Sequence, residues 1–133
     1  MRELAAASGQ KDYADEAVRM LRQAIGETVP EDPEAARRQT ALAAALIARF
    51  GLDRHRGDLI EARHLLTEAI TVLRSALGAG HADTLSARLE MARAYAAEGR
   101  DAEARAIVTE VLPSLPREHP SYRVARALEE SLR

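Results

Sequence analysis

The sequence predicts an all-α protein, built as a solenoid in which antiparallel helix pairs repeat along the chain. Apolar residues recur at the three- and four-residue spacing of amphipathic helices, and no segment shows the sustained alternation of a β-strand. Three segments also superpose without a gap, namely DEAVRMLRQAI, IEARHLLTEAI and AEARAIVTEVL. Their shared alanine column recurs after 45 and then 42 residues (17 to 62, then 62 to 104). A helix-pair unit of this period is typical of a solenoid.

The composition fits one helical domain and argues against several functional classes. Of the 133 residues 47% are hydrophobic but only 3% are aromatic, so we expect a core of close alanine and leucine contacts. The absence of cysteine excludes disulfides and thiolate metal sites. A net charge of −2 with mixed signs is typical of a solvated surface, not of a nucleic-acid interface. We find neither a membrane-spanning run nor a secretory signal, so a cytoplasmic location is expected, and heavy arginine and alanine use suggests a bacterial source.

The first predicted helix covers residues 12–28 and follows a short apolar piece at 4–7 that Gly9 ends. Asp12 is its expected N-cap, because a carboxylate there accepts hydrogen bonds from free backbone amides. Its inward face is expected to hold Ala17, Met20, Leu21, Ala24 and Ile25.

The second predicted helix covers residues 33–50 and starts at Asp32-Pro33, where a capping carboxylate precedes a proline in the first turn. The polar stretch 51–57, GLDRHRG, is expected to be a loop. Asp58 followed by Glu61 has the form of a capping box, so a third helix is expected over 58–77. The inward residues of these two helices are Leu42, Ala43, Leu46 and Phe50, then Leu59, Ala62, Leu66, Ala69, Ile70 and Leu73.

The stretch 81–116 predicts two further amphipathic helices joined at Gly99, and a last helix is expected over 121–132. The units are therefore about 1–30, 31–79 and 80–116, followed by a capping helix at 120–132 within a single domain at 1–133. The expected apolar positions are Leu85, Leu89, Met91, Ala92 and Tyr95; Ala104, Ile107, Val108, Val111 and Leu112; and Val124, Ala125, Leu128 and Leu132.

Residues 88–116 resemble a tetratricopeptide repeat (TPR). The pattern consists of Met91-Ala92, Tyr95, Gly99, Ala104, Val108 and Pro116 at that family's spacing, with Arg88 at its usual tryptophan position. With the preceding HADTLSAR, the unit resembles the variant found in kinesin light chains and bacterial sensor proteins. The middle unit resembles a longer-turn form of actinobacterial TPR arrays, which are often fused to switch or protease domains. The resemblance implies a right-handed TPR-like superhelix that serves as a protein-interaction scaffold.

The resemblance also implies that the first helix of each pair lines a concave groove. Its positions are Arg37, Thr40, Ala44 and Ile47; Ser86, Leu89, Arg93 and Ala96; and Val124, Ala127 and Ser131. Such a groove would be small to apolar, with Arg37 and Arg93 as its charges, and would suit a helix or extended peptide carrying an acidic group. The alternative is that these side chains face water or a neighbouring repeat. The family's carboxylate clamp of Asn and Lys is not expected, because the chain has no Asn and Lys11 is its only Lys.

The histidines and the glycine-containing stretch predict no catalytic or metal centre. No two of the four histidines have the i, i+4 spacing of a helical metal pair, so we expect neither metal nor cofactor. His81 and His119 occupy equivalent turns between units. GLDRHRG lacks the Lys-Ser/Thr end of a phosphate loop. Its residues 54–56 would suit an anion, although a solvated turn is the simpler interpretation.

We therefore expect a non-enzymatic module that binds a protein or peptide, with no nucleic-acid or membrane partner. The alternative is a regulatory segment of a larger bacterial signalling protein. The first unit has a full second helix but only a stub of its first, which would leave an apolar face bare. A homodimer through this open N-terminal face would cover it.

Overall fold

The computed structural model describes residues 2–133, with side chains described from residue 9 onward. Within that range the protein is helical without any strand, as predicted. Six α-helices and one 3-10 turn follow one another: α1 Arg2–Gly26, α2 Pro33–Asp53, α3 Arg56–Leu77, α4 Ala82–Ala97, α5 Asp101–Val111, the 3-10 turn Leu112–Ser114, and α6 Pro120–Ser131.

The helices pack in the order of the chain, as a solenoid requires. Each helix from α1 to α5 contacts the next one, and α2 also packs against α4, two helices further on. The last helix, α6, lies against both α4 and α5. The first helices of successive pairs therefore lie side by side and form one continuous layer.

Apolar side chains of the described residues form two core clusters. The first joins α1 to α4 and includes Leu46 and Leu66, and the second joins α4 to α6 and includes Leu89 and Val108. Tyr95 packs against both clusters, so the two cores meet at α4. All the inward residues predicted for α2 and α3 are buried except the partly buried Ile70.

Helix α1 differs from the prediction for the N-terminal segment. It runs without a break from Arg2 to Gly26, so Gly9 does not end a helix and Asp12 lies inside α1 instead of capping it. One glycine inside a helix costs only about 1 kcal/mol, which neighbouring helix formers and tertiary packing offset. Met20, expected to face inward, is 59% exposed. The apolar side chains predicted at 4–7 lie outside the described residues.

The loop predicted at 51–57 is wrong, because the polar stretch is mostly helical. Helix α2 continues to Asp53 and α3 starts at Arg56, which leaves only Arg54 and His55 as the connection. Arg54 adopts the left-handed conformation that ends many helices, with φ of 59°, and its N–H donates to the Phe50 carbonyl (2.8 Å). The additional residues thus lengthen α2 and α3 to 21 and 22 residues, against 16 and 11 in α4 and α5.

The predicted capping box at Asp58 and Glu61 is also wrong. Asp58 is 3% exposed and accepts two hydrogen bonds from Arg49, through Nε and Nη2 (both 2.8 Å). Arg49 also donates to Asp15 of α1 (3.2 Å), so this guanidinium joins three helices. Glu61 accepts from Arg22 of α1 (2.7 Å). Asp58 and Glu61 have the spacing of a capping box, but both side chains form ion pairs with other helices instead.

The predicted caps and turns elsewhere are confirmed. The Glu34 N–H donates to the Asp32 carboxylate (2.9 Å), and Pro33 occupies the first turn of α2. Gly99 turns the chain between α4 and α5 with φ of 82°, a conformation that favours glycine. His81 and His119 both act as N-caps: their Nδ1 atoms accept from the N–H groups of Asp83 (3.0 Å) and Ser121 (3.1 Å).

Candidate partner-binding surface

A cavity of about 350 Å³ lies between α2 and α4, on the layer formed by the first helices of the pairs. We call it the α2–α4 cavity. Its lining residues are Arg37, Thr40, Ala41, Ala44, Leu73, Asp83, Ser86 and Glu90. Two alanines of α2 leave the space open, because their side chains end at Cβ. Polar and charged side chains of both helices surround this floor.

Some of the predicted groove residues meet in this cavity and others do not. Arg37, Thr40, Ala44 and Ser86 line it together. Ile47 is 6% exposed and Leu89 is 2% exposed, so their prediction as groove residues is wrong. Both point into the core because the accessible stripe of each helix is rotated by about one residue from the predicted one.

The remaining predicted groove positions lie elsewhere on the same layer. Arg93 and Ala96 are partly buried on α4, outside the lining of the α2–α4 cavity. Val124 and Ala127 line a separate cavity of about 610 Å³ beside the start of α6. Ser131 donates its hydroxyl to the Leu128 carbonyl (2.9 Å). The predicted groove positions are therefore distributed over two separate cavities and the surface outside them.

The charges of the α2–α4 cavity are balanced inside the protein. Arg37 Nε donates to Asp83 of α4 (2.7 Å), and Arg37 Nη1 donates to Glu34 (3.3 Å). Arg93 Nη1 donates to both carboxylate oxygens of Glu90 (3.1 and 3.0 Å). Burial raises the pKa of the Glu90 carboxyl, and the charge of Arg93 offsets part of that increase. The sequence predicted Arg37 and Arg93 as the charges of the groove. The carboxylates of Asp83, Glu34 and Glu90 pair with these two arginines, so the prediction is corrected.

The spacing of α4 and α6 is fixed by polar contacts at the start of each helix. The hydroxyls of Ser86 and Ser121 lie 2.7 Å apart in a hydrogen bond that either can donate. The Thr84 hydroxyl is buried and donates to the Gly78 carbonyl (2.8 Å). One side of the α2–α4 cavity is therefore attached to the last helix.

A second open feature is an apolar groove between α1 and α2, which we call the α1–α2 groove. It encloses about 660 Å³ and is lined by Gly9, Gln10, Tyr13, Ala14, Ala17, Ala45, Ala48 and Leu52. Tyr13 is 80% exposed on its rim, and none of the side chains described from residue 9 onward that line it is charged. An exposed concave apolar surface of this kind is typical of an interaction site.

Comparison with known proteins identifies the repeat. A family model described as tetratricopeptide repeat matches residues 42–117, which is more than half of the chain. The chain belongs to the tetratricopeptide repeat family. This confirms the resemblance seen in the sequence, and TPRs as a family mediate protein–protein interaction. In TPR terms α2, α4 and α6 are A helices, and α1, α3 and α5 are B helices.

A crystal structure supports the same TPR architecture over nearly the whole chain. It contains nearly identical TPR-like repeats of a protein described as a kinesin light chain, from Podosopora anserina. The sequence identity is 26% and the TM-score is 0.71. The match covers 96% of this chain but 62% of that one, so the present chain spans less than two thirds of its length. No curated protein sequence matches the chain.

The part of the TPR array that the structure describes holds no group of three or more histidine and carboxylate side chains arranged for a metal ion. Among the same residues, no helix is long and apolar enough to cross a membrane.

Sequence reasoning missed two features of the TPR surface. Glu90 lines the α2–α4 cavity in place of Leu89, and its polarity beside a leucine was the available signal for the correct rotation of α4. The Arg63 guanidinium stacks on the Tyr95 ring (5.0 Å to its centroid) and donates to Glu98 (3.1 Å). Nothing in the repeat pattern predicts this contact between helices of different units.

Proposed function

We propose that the chain is a non-catalytic interaction module that binds a segment of a partner protein in the α2–α4 cavity. The observation that supports this most is the shape of the cavity: alanines form the floor, while side chains able to donate and accept hydrogen bonds surround it. The site lies at the joint of two repeats, on the A-helix layer.

We further propose that Arg37 anchors an acidic group of the partner. Its guanidinium is about half exposed and is already aligned by Asp83 and Glu34. A partner carboxylate at this position would share a guanidinium that offers several donors in a fixed plane. Arg93, held by Glu90, is the second proposed anchor. Because Asp83 and Glu90 also border the site, a partner that carries a nearby cation would be favoured over a purely acidic one.

Site-directed photocrosslinking tests this proposal. A photoreactive residue at Thr40 is expected to capture a partner protein in host extract, whereas one at the exposed Thr71 of α3 is not. Ala41→Arg fills the cavity from an exposed position and is expected to abolish capture. Ala106→Arg, an equally simple change on the exposed face of α5, serves as the matched control. Equal capture by both variants would remove the α2–α4 cavity as the binding site.

The α1–α2 groove supports a second proposal, which is self-association through the N-terminal face. Exposed Tyr13, Met20 and Leu52 give this face an apolar character. Light scattering is expected to show a dimer that dissociates in Tyr13→Lys but not in the control Ala102→Lys on α5. A monomer at all concentrations for the unmodified chain would contradict this proposal and leave the α2–α4 cavity unaffected. A cytoplasmic location, a regulatory role in a larger protein and the lack of nucleic-acid binding stay predictions from the sequence.

A further inference from the structure

Two adjacent cavities, lined by residues other than those of the α2–α4 cavity, lie between α3 and the end of α4. They measure about 290 and 300 Å³ and share Ile60 and Arg63 as a common wall. We call them together the arginine trough. None of the residues that line the α2–α4 cavity lines the trough.

The first cavity of the trough combines an apolar floor with cationic walls. Phe50 and Leu59 form the floor and are almost fully buried, whereas Ile60 stands 67% exposed at the side. Arg56 and Arg63 supply positive charge, and Glu98 is the carboxylate of this lining. An aliphatic contact beside two guanidiniums suits a ligand that is both apolar and negatively charged.

Two guanidiniums and one carboxylate line the first cavity of the trough. Glu98 accepts two hydrogen bonds from Arg63 Nη1 (3.1 and 3.3 Å), and Arg100 Nη1 lies 3.8 Å from it. Arg56 makes no ion pair with the side chains described from residue 9 onward. Arg54, next to it, makes none within the same range and stacks on the Phe50 ring (5.4 Å). At the edge, the Asp53 carboxylate accepts from the His55 N–H, and Glu103 pairs with Arg100.

The second cavity is less charged and is held in shape by an aromatic ring. Tyr95 lies between two guanidiniums, with Arg63 5.0 Å and Arg100 4.8 Å from its centroid. Met91 and Thr67 complete the side away from the first cavity. Arg63 Nε is buried and has no hydrogen-bond partner among the described atoms, so any ligand would be met by the exposed end of this guanidinium.

We propose that the arginine trough binds an acidic peptide segment of a partner protein. A carboxylate of the segment lies between Arg56 and Arg63, and an apolar side chain packs on Ile60 towards Met91. Charge complementarity identifies this occupant, because an apolar helix would leave the Arg56 guanidinium without a carboxylate partner and a basic helix would be repelled. This site shares no lining residue with the α2–α4 cavity, so one chain can hold two partner segments at separate sites.

Nuclear magnetic resonance titration of the full chain tests the proposal. The probe is a pool of acetylated hexapeptides in which Asp or Glu alternates with Leu, Ile, Phe or Trp, and the control pool carries Asn or Gln instead of the acids. Addition of the acidic pool is expected to shift the amide signals of Ile60, Arg63 and Ala97. Arg56→Glu, a change at an exposed position, is expected to weaken this binding by about tenfold, the equivalent of one hydrogen bond to a charged group.

Four controls make the outcome decisive. Arg105→Glu alters an exposed arginine on α5 and is expected to leave the titration unchanged. Arg37→Gln, which alters the α2–α4 cavity, is also expected to leave it unchanged. The proposal is overturned if Arg105→Glu weakens binding as much as Arg56→Glu, or if the Asn/Gln pool shifts the same signals. It is also overturned if sulfate alone reproduces the shifts at equal concentration, because the site would then bind a bare anion. An acidic pool that leaves the trough signals unchanged at about 1 mM would exclude the site.

Discussion

Glu90 is a largely buried carboxylate that lines the proposed binding site. Its carboxylate borders the α2–α4 cavity and pairs with Arg93, yet it is largely removed from water. Burial favours the neutral form, so the pKa of Glu90 lies above the ordinary glutamate value of about 4.3.

Replacement of Glu90 is expected to change the pH dependence of stability. Between the ordinary glutamate pKa and the raised one, the folded chain binds more protons than the unfolded chain. The free energy of unfolding therefore falls as the pH rises through that window. Glu90→Gln removes this loss, so its stability relative to the unmodified chain should increase from mildly acidic to neutral pH. Thermal denaturation at several pH values measures the difference, and an identical profile for Glu90→Gln and the unmodified chain would contradict it. Exposed Glu118→Gln is the control.

Asp58 illustrates a buried charge that depends on its partner. Its two hydrogen bonds raise the pKa of Arg49 despite the burial of that guanidinium, and Asp15 contributes to the same effect. Asp58→Ala would leave Arg49 largely buried, with the more exposed Asp15 as its remaining partner. We expect a loss of about 3–5 kcal/mol of unfolding free energy, measured by urea denaturation.

The corresponding double substitution separates the ion pair from the packing. Arg49→Met combined with Asp58→Leu removes both charges and retains side-chain volume, so it should recover most of the stability. If the double variant is as unstable as Asp58→Ala, then packing around this site, not the unpaired charge, is responsible.

At the level of the elements, the histidine caps explain where two of the three A helices begin. The caps at His81 and His119 have the same geometry, in which Nδ1 accepts the N–H two residues later. Histidine is an unusual N-cap, but its ring nitrogen satisfies a free amide in the way that a carboxylate oxygen does at Asp32. The equivalence of the two turns is thus a property of the repeat.

Removal of one cap should destabilise α4 by a limited amount. His81→Ala is expected to cost about 1 kcal/mol, because the Asp83 N–H loses its acceptor. His81→Asp supplies a carboxylate oxygen at the same position and should restore the loss. Urea denaturation of the two variants compares them directly, and equal destabilisation by both would show that the ring contributes by packing.

The elements that the sequence predicted correctly are those with local signals. Asp32-Pro33 and Gly99 specify a helix start and a tight turn within a few residues, and both are found as expected. The stretch 51–57 has the composition of a loop, but the contact of Arg54 with Phe50 and the pairing of Arg49 with Asp58 favour helix there. Pairs such as Arg37 and Asp83, 46 residues apart, leave no local signal. The repeat alignment identified the helices that line the α2–α4 cavity but not their rotation, which depends on packing between helices.

For the whole molecule, each of the two core clusters joins helices that are neighbours in the array, so each helix is stabilised mainly by the helices next to it. Helix α6 contacts α4, α5 and the 3-10 turn that follows α5, and its outward side carries charged residues such as Arg123 and Arg126. A polar outer face is what a terminal helix of a solenoid needs. The described part of the N-terminal face differs, because apolar residues of α1 and α2 remain open to solvent there.

Release of α6 should therefore leave the rest of the array folded. Ala125→Arg places a long charged side chain at a fully buried position of the second core cluster. We expect loss of hydrogen-exchange protection in α6, with protection in α2 and α3 retained. Ala127→Arg, on the exposed side of α6, is the control. A loss of protection throughout the array would indicate one cooperative unit in place of a linear series of contacts.

The lengthened α2–α3 pair has a consequence for how such arrays acquire new surfaces. Arg54 and Arg56 lie in the added stretch 51–57. Arg56 lines one end of the arginine trough with Phe50 and Ile60, and Arg54 stacks on the Phe50 ring. The shorter α4–α5 pair has no such extension. A longer helix pair can therefore add one side of a cavity to a repeat, while the apolar positions that pack the repeat against its neighbours stay unchanged. In protein design, the segment from Arg49 to Arg63 would be a graft that adds an anionic-peptide site to a single chosen repeat.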